Sequence, residues 1–360
     1  MRLYDFLFDQ RFFVLFGIGI CGRSKEGYFM GEKILTVSIA AYNVSKFIRK
    51  ALDSLILDED HMKSLEVIIV NDGSTDDTST IAREYAYRYP QTFLVFDKEN
   101  GGYGSTINAS LAIAEGKYYK LLDGDDWYDQ EGFCGLIDYL EKTDADLIIS
   151  PYNIVKPDVK TVLHHSEIPM KQINISELRL NDKLFQMHGI TVKTDTLRKY
   201  KHPIAEHCFY TDIEFVFYCL AASETIARYN CTVYNYRLDI NGQSVSLAGI
   251  QKHYADHPKV TDRICKCYER ECLKFEGGKK GILSYAVTFS IYGAFNNYML
   301  LKDAGKHKRE LIRFDKQLAE KYPNAYKAGN DSSVVRTTRR LRFHLYWLMC
   351  RYMKFKFGRF

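Results

Sequence analysis

The chain has 360 residues, 46% apolar and 26% charged, so it can bury one large core or about two domains, and general disorder is excluded. Seven prolines and 23 glycines exclude collagen-like and low-complexity classes. The 50 basic and 45 acidic residues leave +5, but residues 336–360 hold eight basic and no acidic side chains; 42 against 45 leaves −3 before them, so a basic body for wrapping nucleic acid is not expected.

In chain order, residues 1–32 read as an N-terminal extension, with Met30 just ahead of the first convincing strand as an alternative start. The longest uncharged run there, Phe12 to Gly22, is 11 residues, well short of the ~20 needed to cross a bilayer. From Leu35, short β-branched runs alternate with amphipathic stretches, the pattern of β-α-β units and a mainly parallel sheet. Strands are expected at Leu35 to Ala41, Leu65 to Asn71, Thr92 to Asp97, Tyr118 to Leu122 and Asp146 to Ser150, with helices at Ser45 to Leu57, Asp76 to Tyr89, Ser105 to Glu115 and Glu131 to Lys142. Ser74 with Asp77, and Thr211 with Glu214, have capping spacing. Residues 33–150 and 151–250 read as two halves, the second with a strand-like stretch from Thr225 to Arg237. Residues 251–335 read as helical, with turns at Tyr322-Pro323-Asn324 and Gly329-Asn330-Asp331, and 336–360 as a basic aromatic tail. The nine scattered cysteines point to reduced thiols and a cytoplasmic setting. Cys265, Cys267 and Cys272, near His253 and His257, lack zinc-like spacing.

Open parallel sheets bind ligands beyond the carboxyl ends of their strands. Three such ends carry chemistry: Ala41-Tyr42-Asn43, Asn71-Asp72-Gly73-Ser74, and Asp123-Gly124-Asp125-Asp126-Trp127. Three carboxylates within four residues repel one another unless a cation neutralises them, and oxygen ligands suit Mg²⁺ or Mn²⁺, whose shell substrate phosphates complete. Each turn taken alone is as readily a solvated turn or a helix cap. Gly101-Gly102-Tyr103-Gly104-Ser105, between a strand and a helix, allows close backbone approach to a phosphate.

From about Lys33 to Ser246 these elements resemble the family 2 glycosyltransferases of GT-A fold, of the bacterial non-processive type. Val37-Ser38-Ile39-Ala40-Ala41-Tyr42-Asn43 is similar to that family's opening strand, Val70-Asn71-Asp72-Gly73-Ser74 to its second, and Asp123-Gly124-Asp125 to its DxD motif. The resemblance implies a GT-A (Rossmann-like) α/β fold with a mixed, mainly parallel sheet flanked by helices, and a helical C-terminal region. Residues 33–150 would be the nucleotide-sugar-binding half and 151–250 the acceptor side. By the same resemblance Tyr42 and Asp72 hold the nucleotide base, Gly102 lies in a donor-binding loop, Asp123 approaches the ribose and diphosphate, and Asp125 ligates the metal. In Phe209-Tyr210-Thr211-Asp212-Ile213-Glu214, Thr211 stands where the family carries Glu, leaving Asp212 as the candidate catalytic base; at a helix N-terminus its pKa is expected to be low. The alternative for this stretch is a capping box formed by Thr211 and Glu214. Ile107 replaces an Arg before Asn108, and Arg237, ahead of Gln243-Ser244-Val245-Ser246, is the candidate cation near the diphosphate.

The expected activity is inverting transfer of one sugar from a nucleotide-sugar donor, UDP-linked, to a hydroxyl of a glycan, lipid-linked glycan or cell-surface polymer precursor, with Mg²⁺ or Mn²⁺. The tail from Arg336, which interleaves cations with Leu341, Phe343, Leu345, Tyr346, Trp347, Leu348, Tyr352, Phe355 and Phe357, is expected to reach an anionic membrane at the inner face of the cell membrane rather than complete the core. The rival reading is a non-catalytic, membrane-associated sugar-nucleotide-binding protein with a degenerate site, to which Thr211 and Ile107 would belong.

Overall fold

The computed structural model describes residues 20–21, 32–157, 159–178, 185–238 and 246–357. They form two compact units interleaved along the chain. The first comprises Met1–Asn174, Phe185–His207 and Ala222–Asp239; the second comprises Ile175–Leu184, Cys208–Ala221 and Ile240–Phe360.

In the first unit the apolar runs become β2 (Leu35–Ala41), β3 (Leu65–Asp72), β4 (Phe93–Lys98) and β5 (Tyr118–Asp123), joined by parallel pairing, with a two-residue β1 (Ile20–Cys21) antiparallel on the β4 edge. These strands read as continuous apolar runs because helices cover both faces, and Leu35, Val37, Ile39, Val67 and Ile69 are fully buried. Each such side chain contributes about 1.5–3 kcal/mol by leaving water. The covering helices are α1 (Ile48–Asp53), α2 (Glu59–Ser64), α3 (Thr78–Arg88), α4 (Tyr103–Ile113), α5 (Gln130–Lys142) and α6 (Thr194–Tyr200). The remaining strands are β6 (Trp127–Tyr128), β7 (Leu147–Ile149), β8 (Tyr152–Val155), β9 (Lys160–Leu163), β10 (Ile173–Asn174), β11 (Ile190–Lys193), β12 (Thr225–Arg228) and β13 (Tyr234–Arg237).

Among the described residues the main sheet runs β1-β4-β3-β2-β5-β11-β7-β12-β10, and a smaller sheet runs β6-β13-β8-β9. β11 is antiparallel to both of its neighbours, which makes the main sheet mixed. Register sets the functional edge: Ala40 lies opposite Asp123 and Ala41 opposite Asn71, so the chain leaves β2, β3 and β5 at one rim.

The stretch from Thr225 to Arg237 is two strands in different sheets, because residues 229–233 carry the chain from β7's side to a parallel pairing with β8. That pairing also takes Tyr152–Val155 into the first unit, so the chain does not divide at 150/151.

The second unit is helical: α7 (Thr211–Ala222), α8 (Leu247–His253), α9 (Asp256–Glu271), α10 (Gly277–Met299), α11 (Ala304–Lys321), α12 (Pro323–Ala328), α13 (Ser333–Arg340) and α14 (Tyr346–Phe357). Its centre is α10, where Leu283, Val287, Ile291, Ala294 and Phe295 are buried. Pro323 opens α12 at its first turn, where a missing N–H costs nothing, and so starts a helix where a turn was expected. The tail also differs from expectation. Val335, Tyr346, Cys350 and Met353 are buried, and Arg339 pairs with Asp315 at 2.8 Å, so residues 333–355 help to build this unit.

Candidate active site at the carboxyl ends of the strands

Tyr42 follows β2 directly and is half exposed, presenting its ring to solvent. The next residue, Asn43, is left-handed (φ 53°), and its side-chain oxygen accepts from Thr75 N at 2.8 Å while its N–H donates to Ser74 Oγ at 3.1 Å. The turns after β2 and β3 are thereby bound together. Asp76 adds to the same knot. Partial burial works against its charge, yet hydrogen bonds from Thr78 and Ser45 hold its carboxyl at about 2. Asp76, rather than Ser74 with Asp77, therefore satisfies the first turn of α3, and the helix starts at Thr78.

Asp72 is buried at the end of β3, with both oxygens engaged. Oδ1 accepts from Lys98 Nζ at 2.7 Å and Gly101 N at 2.9 Å, and Oδ2 accepts from Gly102 N at 2.8 Å. The loop N–H groups expected to face a phosphate are directed at this carboxylate. Gly102 sits at φ 81° as the residue before α4, a conformation that favours glycine. At Gly104 a Cβ would lie 1.9 Å from the Ala205 carbonyl oxygen, so only glycine fits there.

The turn after β5 is organised differently. Asp123 Oδ1 accepts from Tyr103 Oη at 2.7 Å, and Asp126 is buried, accepting from Tyr234 Oη and from Arg237 N, each at 2.7 Å. Burial, then the neighbouring charges of Asp123 and Asp125, push the Asp126 carboxyl up to about 9. Burial also raises Asp125, against the pull of Arg237. Arg237 lies against this turn: its Nε donates to the Asp125 carbonyl at 2.9 Å, and its guanidinium lies 4.9 Å from the Trp127 ring centre and 5.0 Å from that of Phe47. Lys50 Nζ is 3.3 Å from the centre of the Trp127 ring.

One donor atom each from Asp123, Asp126 and His188 lie within 4.8 Å of one another, a grouping that does not include Asp125. His188 is buried among Tyr152, Tyr234 and Tyr236, its Nδ1 has no hydrogen-bond partner, and burial followed by the charge of Lys120 lowers its pKa to about 3. Crowded carboxylates beside a neutral imidazole with an unmet nitrogen are a donor set that suits a divalent cation.

Ile107 is in the core, so the helix face that would carry the family's Arg carries packing instead. Asn108 fixes the chain near Ile204 by bonds to that residue's N and O, and its amide also donates to Glu206 Oε1 at 2.9 Å.

Asp212 lies in the second unit, in the first turn of α7. The residue is solvent-exposed, yet the protein crowded around its carboxyl raises it above the ordinary range, opposite to the expected lowering. No capping box forms at Thr211 and Glu214. Thr211 is buried as the first helical residue with its Oγ1 unpartnered, whereas Glu214 is buried and bonded to Tyr218 Oη at 2.7 Å and Arg263 Nε at 2.6 Å. In the loop after β13, residues 243–245 lie outside the described residues, and Ser246 caps α8.

Tyr103, Tyr234, Lys98 and His188 were not singled out from the sequence. Tyr103 lies within the glycine loop and Lys98 three residues before it, so both were legible there; Tyr234 and His188 reach Asp126 from residues 60 or more positions away, and no local pattern marks them.

Residues 36–209 match the model of the family described as Glycosyl transferase family 2. That stretch, just under half of the chain, is similar to family 2 of the glycosyltransferases, and the sheet with its helical C-terminal region is a GT-A fold. Among curated relatives, the minor teichoic acid biosynthesis protein GgaB of Bacillus subtilis is 25% identical over 232 residues, 63% of this chain and 25% of that protein. An uncharacterized glycosyltransferase of Mycoplasma genitalium, MG025, is 39% identical over 102 residues, 28% of this chain and 34% of that protein. The chain thus spans about a quarter to a third of the length of these relatives. The crystal structure of S. aureus TarS 1–349 in complex with UDP-GlcNAc superposes with a TM-score of 0.54 at 16% identity, covering 86% of this chain and 92% of that one, a likeness of fold. Among the described residues no helix is long and apolar enough to cross a membrane.

Proposed function

We propose that the chain is an inverting glycosyltransferase that moves a single sugar from a UDP-linked donor to a hydroxyl of a glycan, lipid-linked glycan or cell-surface polymer precursor. The observation that carries this reading is the turn Asp123 to Asp126 at the rim of a nucleotide-type sheet, where donor atoms of Asp123, Asp126 and His188 lie within 4.8 Å of one another. The match to the family model supports the reaction class. The UDP-GlcNAc complex of TarS and the teichoic acid role in GgaB's name support the donor and acceptor classes.

In this reading the exposed Tyr42 ring stacks on the base, and Asp72 holds the Gly101-Gly102 loop that floors the base's pocket. Asp123 takes the ribose and the start of the diphosphate. Mg²⁺ or Mn²⁺ held at Asp125 beside Asp123 would neutralise charge on the departing diphosphate. Arg237, anchored on the Asp125 carbonyl, supplies a fixed cation there. Asp212 accepts the proton of the acceptor hydroxyl as its oxygen bonds to the anomeric carbon and the bond to the diphosphate breaks. Its raised pKa brings it closer to the range in which a carboxylate accepts a proton efficiently at neutral pH. An acceptor of this kind lies at a membrane, and the basic C-terminal segment would bring the enzyme there.

Asp212→Asn tests the assignment: turnover should fall by about a hundredfold or more while donor affinity stays nearly intact. Equal loss of donor binding would make Asp212 a ligand or a structural residue. The second reading, a binding protein with a degenerate site, is favoured by Thr211, whose buried hydroxyl has no partner where the family carries a carboxylate. Absence of both transfer and donor hydrolysis in a chain that binds UDP-sugar would establish it.

A further inference from the structure

The last helix has two faces of different chemistry. Tyr346, Cys350 and Met353, at helical spacing, turn inward; Tyr346 Oη donates to the Tyr298 carbonyl at 3.0 Å and Lys354 Nζ to the Leu301 carbonyl at 3.1 Å. The opposite stripe holds Trp347, Leu348, Tyr352 and Phe355, all exposed, with Leu341 and Leu345 exposed just before the helix. These six are over a third of the sixteen exposed large apolar side chains among the described residues, gathered within residues 341–355. Apolar patches this concentrated mark a place where something else completes the burial.

Charge selects the occupant. Arg340, Arg342 and Arg351 are exposed in the same stretch, and no acidic residue occurs from 332 to 360. Among the described tail cations, Arg339 is withdrawn to Asp315, Arg336 donates to the Asn330 carbonyl and Lys354 to that of Leu301, which leaves Arg340, Arg342 and Arg351 at the surface. Aromatic rings interleaved with arginines on one side of a helix match the headgroup layer, which takes ring edges and chain ends into its apolar boundary and pairs cations with anionic lipids.

We propose that the exposed stripe Trp347, Leu348, Arg351, Tyr352 and Phe355 is a folded docking face for an anionic bilayer surface, with the opposite side of the same helix locked into the protein core. This deepens the membrane part of the proposed function and differs from a free basic tether: the helix lies in the interface plane as a rigid part of the helical unit. It is separable from sugar transfer, because none of these residues is assigned to the site.

The test is cosedimentation of the full chain with vesicles of phosphatidylcholine alone and of equimolar phosphatidylcholine and phosphatidylglycerol. Binding should be confined to the anionic vesicles and fall with salt. The quadruple variant Trp347→Ser, Leu348→Ser, Tyr352→Ser, Phe355→Ser should bind at least tenfold more weakly at an unchanged melting temperature. Should that variant misfold, a Trp127→Phe chain leaves Trp347 as the sole tryptophan, and its emission should shift to the blue and be quenched by brominated lipid. Wild-type protein that ignores anionic vesicles, a folded quadruple variant that binds as well as wild type, an unshifted Trp347, or dimerisation through this face without lipid would each overturn the proposal. Sugar transfer to a water-soluble acceptor is read in parallel: vesicle binding without transfer supports the docking face and refutes the proposed activity instead.

Discussion

At the end of β3 the carboxylate of Asp72 is met by the Lys98 ammonium and the N–H groups of Gly101 and Gly102, whereas at the end of β5 the carboxylates of Asp123 and Asp126 accept from the tyrosines Tyr103 and Tyr234 and a backbone N–H. Both turns leave the same rim and both are acidic. The first is neutralised within the protein and so holds a loop in shape; in the second, burial and then the neighbouring carboxylates push Asp126 to about 9, and a cation arriving with substrate would relieve it. Acidic turns at strand ends thus divide into those that build the pocket and those that do chemistry in it, and the partners decide which.

The largest effect expected from this contrast is at Asp125. Asp125→Ala should lower turnover by about a thousandfold or more, the scale of losing electrostatic stabilisation of a leaving group. Mn²⁺ affinity, measured by calorimetry, should fall with it, while Asp72→Asn should leave Mn²⁺ affinity within about twofold. Equal metal loss in the two variants would erase the distinction. Retention of Mn²⁺ by Asp125→Ala but not by His188→Ala would move the cation inward, onto Asp123, Asp126 and His188.

Asp72→Asn should instead cost stability. Replacing one partner of a buried ion pair leaves Lys98 uncompensated, and because Lys98 is partly solvated the loss should be about 2 kcal/mol in urea unfolding. Unchanged stability would mean the pair contributes nothing and the loop holds itself.

A pH experiment sharpens the difference on β5 itself. Three residues before Asp123 the strand buries Lys120, which donates to the carbonyls of His188 and Ile190 and whose pKa burial lowers to about 7. Between that value and the ordinary lysine range, the unfolded chain holds a proton that the folded one lacks, so stability should rise with pH from about 7 towards about 10, and level off at its lower value once pH is below about 7. Lys120→Met should flatten that slope, by roughly 2 kcal/mol between pH 7 and 9. A slope unaltered in the variant would place the titration elsewhere.

The smallest effect belongs to Tyr42. Stacking of a half-exposed ring on a base is worth about 1 kcal/mol, so Tyr42→Ala should weaken UDP binding by roughly fivefold with no change in melting temperature. No change in UDP affinity would remove Tyr42 from the base's contacts.

The features legible along the chain are local in origin. The strands Leu35–Ala41 and Tyr118–Asp123, the glycine loop and the acidic turn are written in contiguous residues, because a buried parallel strand needs an unbroken apolar run and a strand end at the rim needs only the next few positions. Tertiary structure decided the rest, wherever the answer depends on residues far apart in the chain. Asp72 and Asp126 read alike as acidic turn residues; only the arrival of Lys98 at the first and of Tyr234 from 108 positions away at the second separates a structural carboxylate from a perturbed one. Asp212 read as a helix-dipole carboxylate of low pKa, but the folded chain crowds protein around this exposed side chain and raises its carboxyl, and such crowding has no local signature. The C-terminal segment read as one basic aromatic stripe, and the core chose which side of it to keep, taking Tyr346 and Met353 inward and leaving Trp347 and Phe355 outside.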